Sequence, residues 1–299
     1  MLLDGFVISE LRSRVAPPSR WAECHGTVVD DHAVPFQRAT TGAESPPTAR
    51  AVAAYAAGQG PVGPVGTLVA VATQERRGGQ QRIPRPAEYR VVGPPPWEGL
   101  DPSARRLTLD DVRRRLLRSP PGVAPLAMVP GSVSAAVLVP LHEVDGEAHV
   151  VFIKRPETMS THRGEIAFPG GKVEPAVDTD LRAAALREAW EEIGLDPNAV
   201  EIVARLAGVA TAASRFTITP FVGFLDRTPE LVPNPGEVVR VLEVPLSELL
   251  DSSMYHEERW DAFRPDMSVF FFELADETIW GATARILTDL LTRLVTPPA

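Results

Sequence analysis

The 299-residue sequence predicts an α/β fold over residues 131–299, in which a mixed sheet is covered by helices. Two observations lead there. Runs rich in β-branched and aromatic residues recur from Ser134 to Leu274, and each suits a pleated, partly buried strand. Two stretches of helical periodicity, Leu181–Leu195 and Ile279–Leu294, stand between and after them. A third observation bounds the fold. The chain holds 30 prolines, and Pro17-Pro18, Pro46-Pro47, GQGPVGPVG at 58–66 and Pro94-Pro95-Pro96 punctuate residues 1–100. That Pro/Gly-rich N-terminal region is expected to be weakly structured or disordered, with Leu68 to Ala72 as an isolated strand candidate.

Residues 101–130 are expected to supply a leading helix and a linker. Leu109, Val112, Leu116 and Leu117 form a short apolar stripe, Thr108 or Ser103 caps it, and Pro120-Pro121 ends it. Ser134–Leu141 and His149–Lys154 read as two strands joined by the turn Val144-Asp145-Gly146-Glu147. Further strands are expected at Val200–Ala204, Phe216–Leu225, Val238–Val244 and Ser268–Leu274, with a short helix at Leu246–Leu250. Ile279, Ala282, Ile286, Leu290 and Leu294 share one face of the last helix.

The helix from Leu181 to Leu195 carries the chemistry. Leu181, Ala184, Ala185, Leu186, Ala189, Trp190 and Ile193 supply its apolar face, which predicts that Trp190 packs on the sheet, and Gly194 is placed to end it. Glu188, Glu191 and Glu192 are spaced i, i+3 and i+4, so their carboxylates leave the helix from about one turn. Such like charges oppose helix formation by a few tenths of a kcal/mol unless a cation sits among them. Hard oxygen donors suit Mg²⁺ or Mn²⁺, and the lack of a Cys/His cluster argues against zinc.

Charge and cysteine usage narrow the function classes. Residues 1–100 carry 10 Arg and 9 acids, so the net charge of -9 belongs to the C-terminal two-thirds. This offers no general attraction for nucleic acid or an anionic membrane. The lysines are Lys154 and Lys172, one on each side of the glycine-rich Phe168-Pro169-Gly170-Gly171. A single cysteine, Cys24, suits a reducing compartment; with no apolar run of membrane-spanning length and no signal-peptide pattern at the N-terminus, the expected location is cytoplasmic.

At Phe168-Pro169-Gly170-Gly171-Lys172 and Arg187-Glu188-Ala189-Trp190-Glu191-Glu192-Ile193-Gly194-Leu195 the sequence resembles the Nudix hydrolases, whose box pairs a glycine loop with R-E-U-x-E-E-x-G-U. The first half departs from the box. Fifteen residues separate Gly171 from Arg187 instead of thirteen, and Thr179 stands where the box has glutamate, leaving Asp178 or Asp180 as its replacement. The resemblance implies the family's α/β/α sandwich over roughly residues 130–296. Lys154-Arg155-Pro156, Thr161 to Gly171, Ile218 to Gly223 and Ile279 to Ala284 look like segments of the coenzyme A diphosphatase subgroup.

The resemblance implies metal-dependent hydrolysis of a nucleoside diphosphate derivative, with coenzyme A or acyl-coenzyme A as leading substrate. ADP-ribose or NADH as substrate, or a binding module without turnover, are the alternatives. Gly170, Glu188, Glu191 and Glu192 are the implied metal ligands. Arg187 would orient a glutamate, and Glu237 would be the downstream acid, with Glu243 as its competitor. Lys154, Arg155, His162, Arg163 and Lys172 are the candidate phosphate contacts. Phe221 and Trp280 are either adenine-stacking or core residues. The expected partner is a small-molecule nucleoside diphosphate; a homodimer is left open.

Overall fold

A computed structural model describes residues 78–119, 131–159, 162–211 and 215–296, all within one compact unit. In chain order its strands and helices are β1 (Arg90–Val91), α1 (Pro102–Arg105), α2 (Leu109–Arg118), β2 (Val133–Val144), β3 (Glu147–Lys154), β4 (Ile166–Ala167), β5 (Gly170–Lys172), α3 (Leu181–Ile193), β6 (Val200–Arg205), β7 (Val209–Ala210), β8 (Phe216–Leu225), β9 (Arg240–Pro245), α4 (Leu246–Leu249), β10 (Tyr255–Arg259), β11 (Ser268–Glu273), β12 (Thr278–Trp280) and α5 (Gly281–Val295). The Leu68–Ala72 strand expectation lies outside the described residues.

The larger sheet has eight strands and is mixed. β2 and β8 run parallel from Val133↔Phe216 to Leu141↔Phe224, while β3, β4, β5, β6, β7 and β9 join antiparallel. Asp145 and Gly146, at φ 50° and 75°, make the tight turn between β2 and β3, a conformation that Asp-Gly adopts readily. Alternation divides the sheet between two cores. Ala136, Leu138, Val151, Ile153, Phe221 and Leu225 meet Ala184, Ala185, Ala189 and Ile193 of α3. On the other face Val139, Leu141, Val150, Phe152, Val222 and Phe224 meet α2, α5 and the smaller sheet. The result is the expected sandwich, with α3 pressed close because alanines occupy its contact face.

The smaller sheet, in the order β1-β10-β11-β12, is antiparallel and changes the domain boundary. Val92 N–H donates to the Glu257 carbonyl at 2.7 Å, and Arg85 pairs with the buried Glu258 at 3.1 Å. Trp97 is 2% exposed, with its ring 5.1 Å from that of Tyr255 and 6.1 Å from that of Phe272. Residues 78–100 therefore pack on the domain, where the composition of 1–100 led to the expectation of weak structure. The proline-rich sequence is compatible with an extended strap, whose order comes from long-range pairing that local composition does not register.

Other expectations shift at their edges. The last helix begins at Gly281, because Ile279 and Trp280 complete β12 against Phe272 and Phe271. α2 starts at Leu109 with Thr108 and Asp111 forming a reciprocal capping box. Trp190 is 54% exposed, contrary to the predicted packing on the sheet. The buried side of α3 passes through Ala185, Ala189 and Glu192, which leaves Trp190 on its flank.

Candidate active site

The site grows from the close approach of β5 to β2 and α3. Gly170 lies opposite Val137 with φ 151°, and a Cβ there would fall 2.4 Å from the Ala136 carbonyl oxygen. At Gly171 a Cβ would fall 2.5 Å from Cδ of Glu188, in space the carboxyl already uses. Glycine at both positions lets sheet backbone and helix carboxylates meet.

α3 is fixed at both ends. The Asp180 carboxylate accepts from Ala183 N–H at 2.8 Å, and Gly194 closes the helix at φ 69°. Of the two aspartates open in the sequence, Asp180 is thus a helix cap. Asp178 takes the other place: its two oxygens accept from Nε and Nη2 of Arg187 at 2.8 and 3.0 Å, and Glu174 N–H donates to it at 2.7 Å. The Arg187 guanidinium holds Asp178 below the usual carboxylate range, and Asp178 in turn raises Arg187. From this anchor Arg187 also reaches Glu188 and Glu191, each at 3.0 Å.

Glu192 is placed differently. It is 2% exposed, accepts the Gly170 N–H at 2.9 Å, and lies 3.5 Å from Nη1 of Arg155. Burial pushes its carboxyl up to about 8, and the Gly170 N–H and Arg155 offset only part of that rise. Burial also raises Glu188. The negative charge of Glu237 adds the smallest contribution to both shifts. Asn234 N–H donates to the Glu192 carbonyl at 2.8 Å, which ties the segment before β9 to the end of α3. Glu243 stands elsewhere, 2.6 Å from Nε2 of His142.

The cationic candidates separate. Arg155 faces Glu192, and its buried Nε has no hydrogen-bond partner among the described residues. Lys154 instead forms a 2.6 Å pair with the buried Glu277. His162, at φ 55°, contacts Glu165 through Nδ1 at 2.9 Å, and that carboxylate raises its pKa. The Nε of Arg163 donates to the Met159 carbonyl at 2.6 Å. Lys172 has an exposed side chain, while its carbonyl accepts from Arg187 at 3.2 Å. Phe221 belongs to the core beneath α3, and Trp280 packs 6.4 Å from Trp260. Both fit the core reading better than the stacking one.

Among the described residues no three His, Cys, Asp or Glu groups are gathered as a ready metal-ligand set. Glu188 and Glu191 turn toward Arg187, whereas Glu192 turns toward Gly170. The residues nonetheless fit a hard divalent cation: they offer carboxylate oxygens beside a glycine backbone, and the buried Glu192 charge is only partly balanced. Arg187 could release Glu188 and Glu191 to an ion while Asp178 kept the guanidinium in place. Sequence reasoning missed two groups near this end of β3, Glu277 and Gln81; their partners lie far away in sequence, and no local pattern marks them.

The family model for the NUDIX domain matches residues 133–266. The chain is 37% identical to the peroxisomal coenzyme A diphosphatase of Mus musculus over 194 residues, which span 63% of this chain and 80% of that protein. It is also 37% identical over 223 residues to the chloroplastic Nudix hydrolase 22 of Arabidopsis thaliana, spanning 71% and 72% of the two chains. A NudL Nudix hydrolase of Photorhabdus laumondii is 35% identical over 181 residues, covering 60% of this chain and 94% of its own. With the glycine loop, the carboxylate helix and the sandwich joined in one unit, the chain belongs to the Nudix hydrolase family.

Proposed function

We propose that the protein hydrolyses the phosphoanhydride of coenzyme A or acyl-coenzyme A, releasing 3′,5′-ADP and 4′-phosphopantetheine or its acyl form. The observation that carries the hydrolytic reading is the under-compensated Glu192 held against the Gly170 N–H, with the charges of Glu188 and Glu237 adding to its rise. The substrate choice draws support from the Mus musculus relative and from the segments Lys154–Pro156 and Thr161–Gly171.

Glu188, Glu191, Glu192 and the Gly170 carbonyl are the groups that would hold Mg²⁺ or Mn²⁺. When bound, such an ion neutralises diphosphate charge and acidifies an attacking water. Glu237 would accept the proton of that water, since its charge bears on both Glu188 and Glu192 and it is not among the Arg187 pairs. Arg155 would bind a diphosphate oxygen through its partly exposed guanidinium, which faces Glu192. His162, Arg163 and Lys172 form the outer contacts of this reading. Arg187 remains a positioning group held by Asp178.

A screen with Mg²⁺ and Mn²⁺ across coenzyme A, acyl-coenzyme A, ADP-ribose and NADH tests the proposal. The expected result is the highest kcat/KM for coenzyme A or its acyl form. A tenfold preference for ADP-ribose or NADH, about 1.4 kcal/mol of transition-state discrimination, would overturn the substrate while keeping the reaction class.

A further inference from the structure

The segment 232–238, which leads into β9, crosses the C-terminal end of α3. Val232 N–H donates to the Ile193 carbonyl at 2.9 Å and Asn234 N–H to the Glu192 carbonyl at 2.8 Å. Both carbonyls belong to the last turn of the helix, where the helix itself has no N–H left to offer. Pro233 and Pro235 also have none. Val232 and Asn234 therefore fix the register in which this segment lies on the helix end.

The turn that follows closes on one residue. The Asn234 carbonyl accepts from Glu237 N–H at 3.0 Å and from Val238 N–H at 2.8 Å, while its side-chain Oδ1 accepts from Gly236 N–H at 3.1 Å. Three consecutive amides thus converge on Asn234, whose side chain completes an Asx turn. Val238 is 2% exposed and packs in the core beneath α3. Asn234 and Glu237 are half-buried, whereas Pro233, Pro235 and Gly236 are exposed. Two hydrogen bonds in series, through Asn234, join the Glu192 carbonyl to the Glu237 N–H. The Glu237 charge bears on Glu188 and Glu192. Aspartate could close the same turn but would add a further negative charge beside these acids; the amide oxygen accepts without one.

We infer that Asn234 is a positioning residue for the hydrolytic step: docked on the end of α3, it fixes the backbone of Glu237 relative to Glu192. The inference rests on the proposed function for the role of Glu237 as proton acceptor. A base must lie within hydrogen-bond reach of the water it deprotonates, and a displacement of about 1 Å can cost about 10²-fold in rate. Glu237 stands in a turn, so its placement depends on what pins that turn. Asn234 pins it to the helix that carries Glu188, Glu191 and Glu192, and the base and the carboxylates then keep one geometry.

The test is a double-mutant cycle in the full chain, with Asn234→Ala, Glu237→Gln and the pair. It reads kcat and KM with whichever diphosphate of the screen is turned over fastest, and the Kd for Mn²⁺ by calorimetry. Asn234→Ala should lower kcat about tenfold while KM and the Mn²⁺ Kd stay within about twofold of wild type. In the Glu237→Gln background it should add nothing. Asn234→Ser, whose hydroxyl closes the same turn more weakly, should lose only about threefold in kcat, and it carries the cycle if Asn234→Ala does not fold. An unchanged kcat in Asn234→Ala, an equal loss in both backgrounds, or a loss matched by weaker Mn²⁺ binding overturns the inference. If Glu237→Gln itself leaves kcat unchanged, the proton-acceptor assignment of the proposed function fails; if it lowers kcat and Asn234→Ala does not, the positioning alone fails.

Discussion

Glu258 and Glu192 are both 2% exposed, yet they sit in opposite electrostatic settings. Glu258 in the smaller sheet accepts from the Trp260 indole at 2.7 Å, pairs with Arg85 at 3.1 Å and lies 3.2 Å from Nε2 of His256. Glu192 has one backbone N–H and an arginine at 3.5 Å, and burial raises it to about 8. The first carboxylate is satisfied by its own chain and fastens the strap; the second is left short of positive charge where the glycine loop approaches. A buried acid that the fold does not neutralise is a stronger functional signal than burial or charge alone.

The largest expected effect separates these two acids. Glu192→Gln keeps the shape and an acceptor for Gly170 but removes the charge, so turnover should fall roughly 10²-fold or more while the unfolding midpoint holds or rises. Glu258→Gln should do the reverse, costing about 2 kcal/mol of stability with little change in turnover of the folded fraction. Activity and urea unfolding measured on both variants check this contrast. A common response to both substitutions would dissolve the distinction.

Removal of the strap comes next. A chain starting at Asp101 loses the Arg85–Glu258 and Gln81–Glu277 contacts and the buried Trp97. Since truncating a buried Trp to Ala alone costs about 3–5 kcal/mol, that chain should be markedly destabilised. Trp97→Ala in the full chain should show a loss of this size by urea unfolding. Stability unchanged by Trp97→Ala would restore the boundary at residue 100.

Asp178 gives a comparison in pH. Its native pKa is lowered by Arg187, so its contribution is fully present above the ordinary carboxylate pKa and is lost as pH falls through the lowered value. Asp178→Asn should cost about 3 kcal/mol near neutrality by leaving Arg187 without its bidentate partner. The difference from wild type should shrink once the pH falls below about 4, where the acid begins to protonate in the unfolded chain. Urea unfolding of both proteins across this range checks the slope. The smallest effect belongs to Trp190→Ser, expected within about 0.5 kcal/mol because the ring is on the surface.

The parts legible in the sequence are those whose signal is local. β2, β3 and β8 declare themselves by runs of Val, Ile, Leu and Phe, and α3 by its alanine face and paired glutamates. β10, with the sequence Tyr-His-Glu-Glu-Arg, is hidden by its charges, and its burial depends on Arg85 and Phe271 from other segments. β1 is two residues long and exists through pairing with β10. The roles of Asp178 and Asp180 could not be divided by spacing, because the longer loop permits either to face Arg187. Trp190 misled for a related reason: helical periodicity marks an apolar stripe but does not say where its edge meets solvent.

Titrating Mn²⁺ into the full chain, with binding read calorimetrically for wild type, Glu192→Gln and Glu258→Gln, tests most directly whether the unbalanced carboxylate is a cation site. The account predicts at least tenfold weaker binding for Glu192→Gln, about 1.4 kcal/mol, and wild-type affinity for Glu258→Gln. Equal Mn²⁺ affinity in wild type and Glu192→Gln would contradict it.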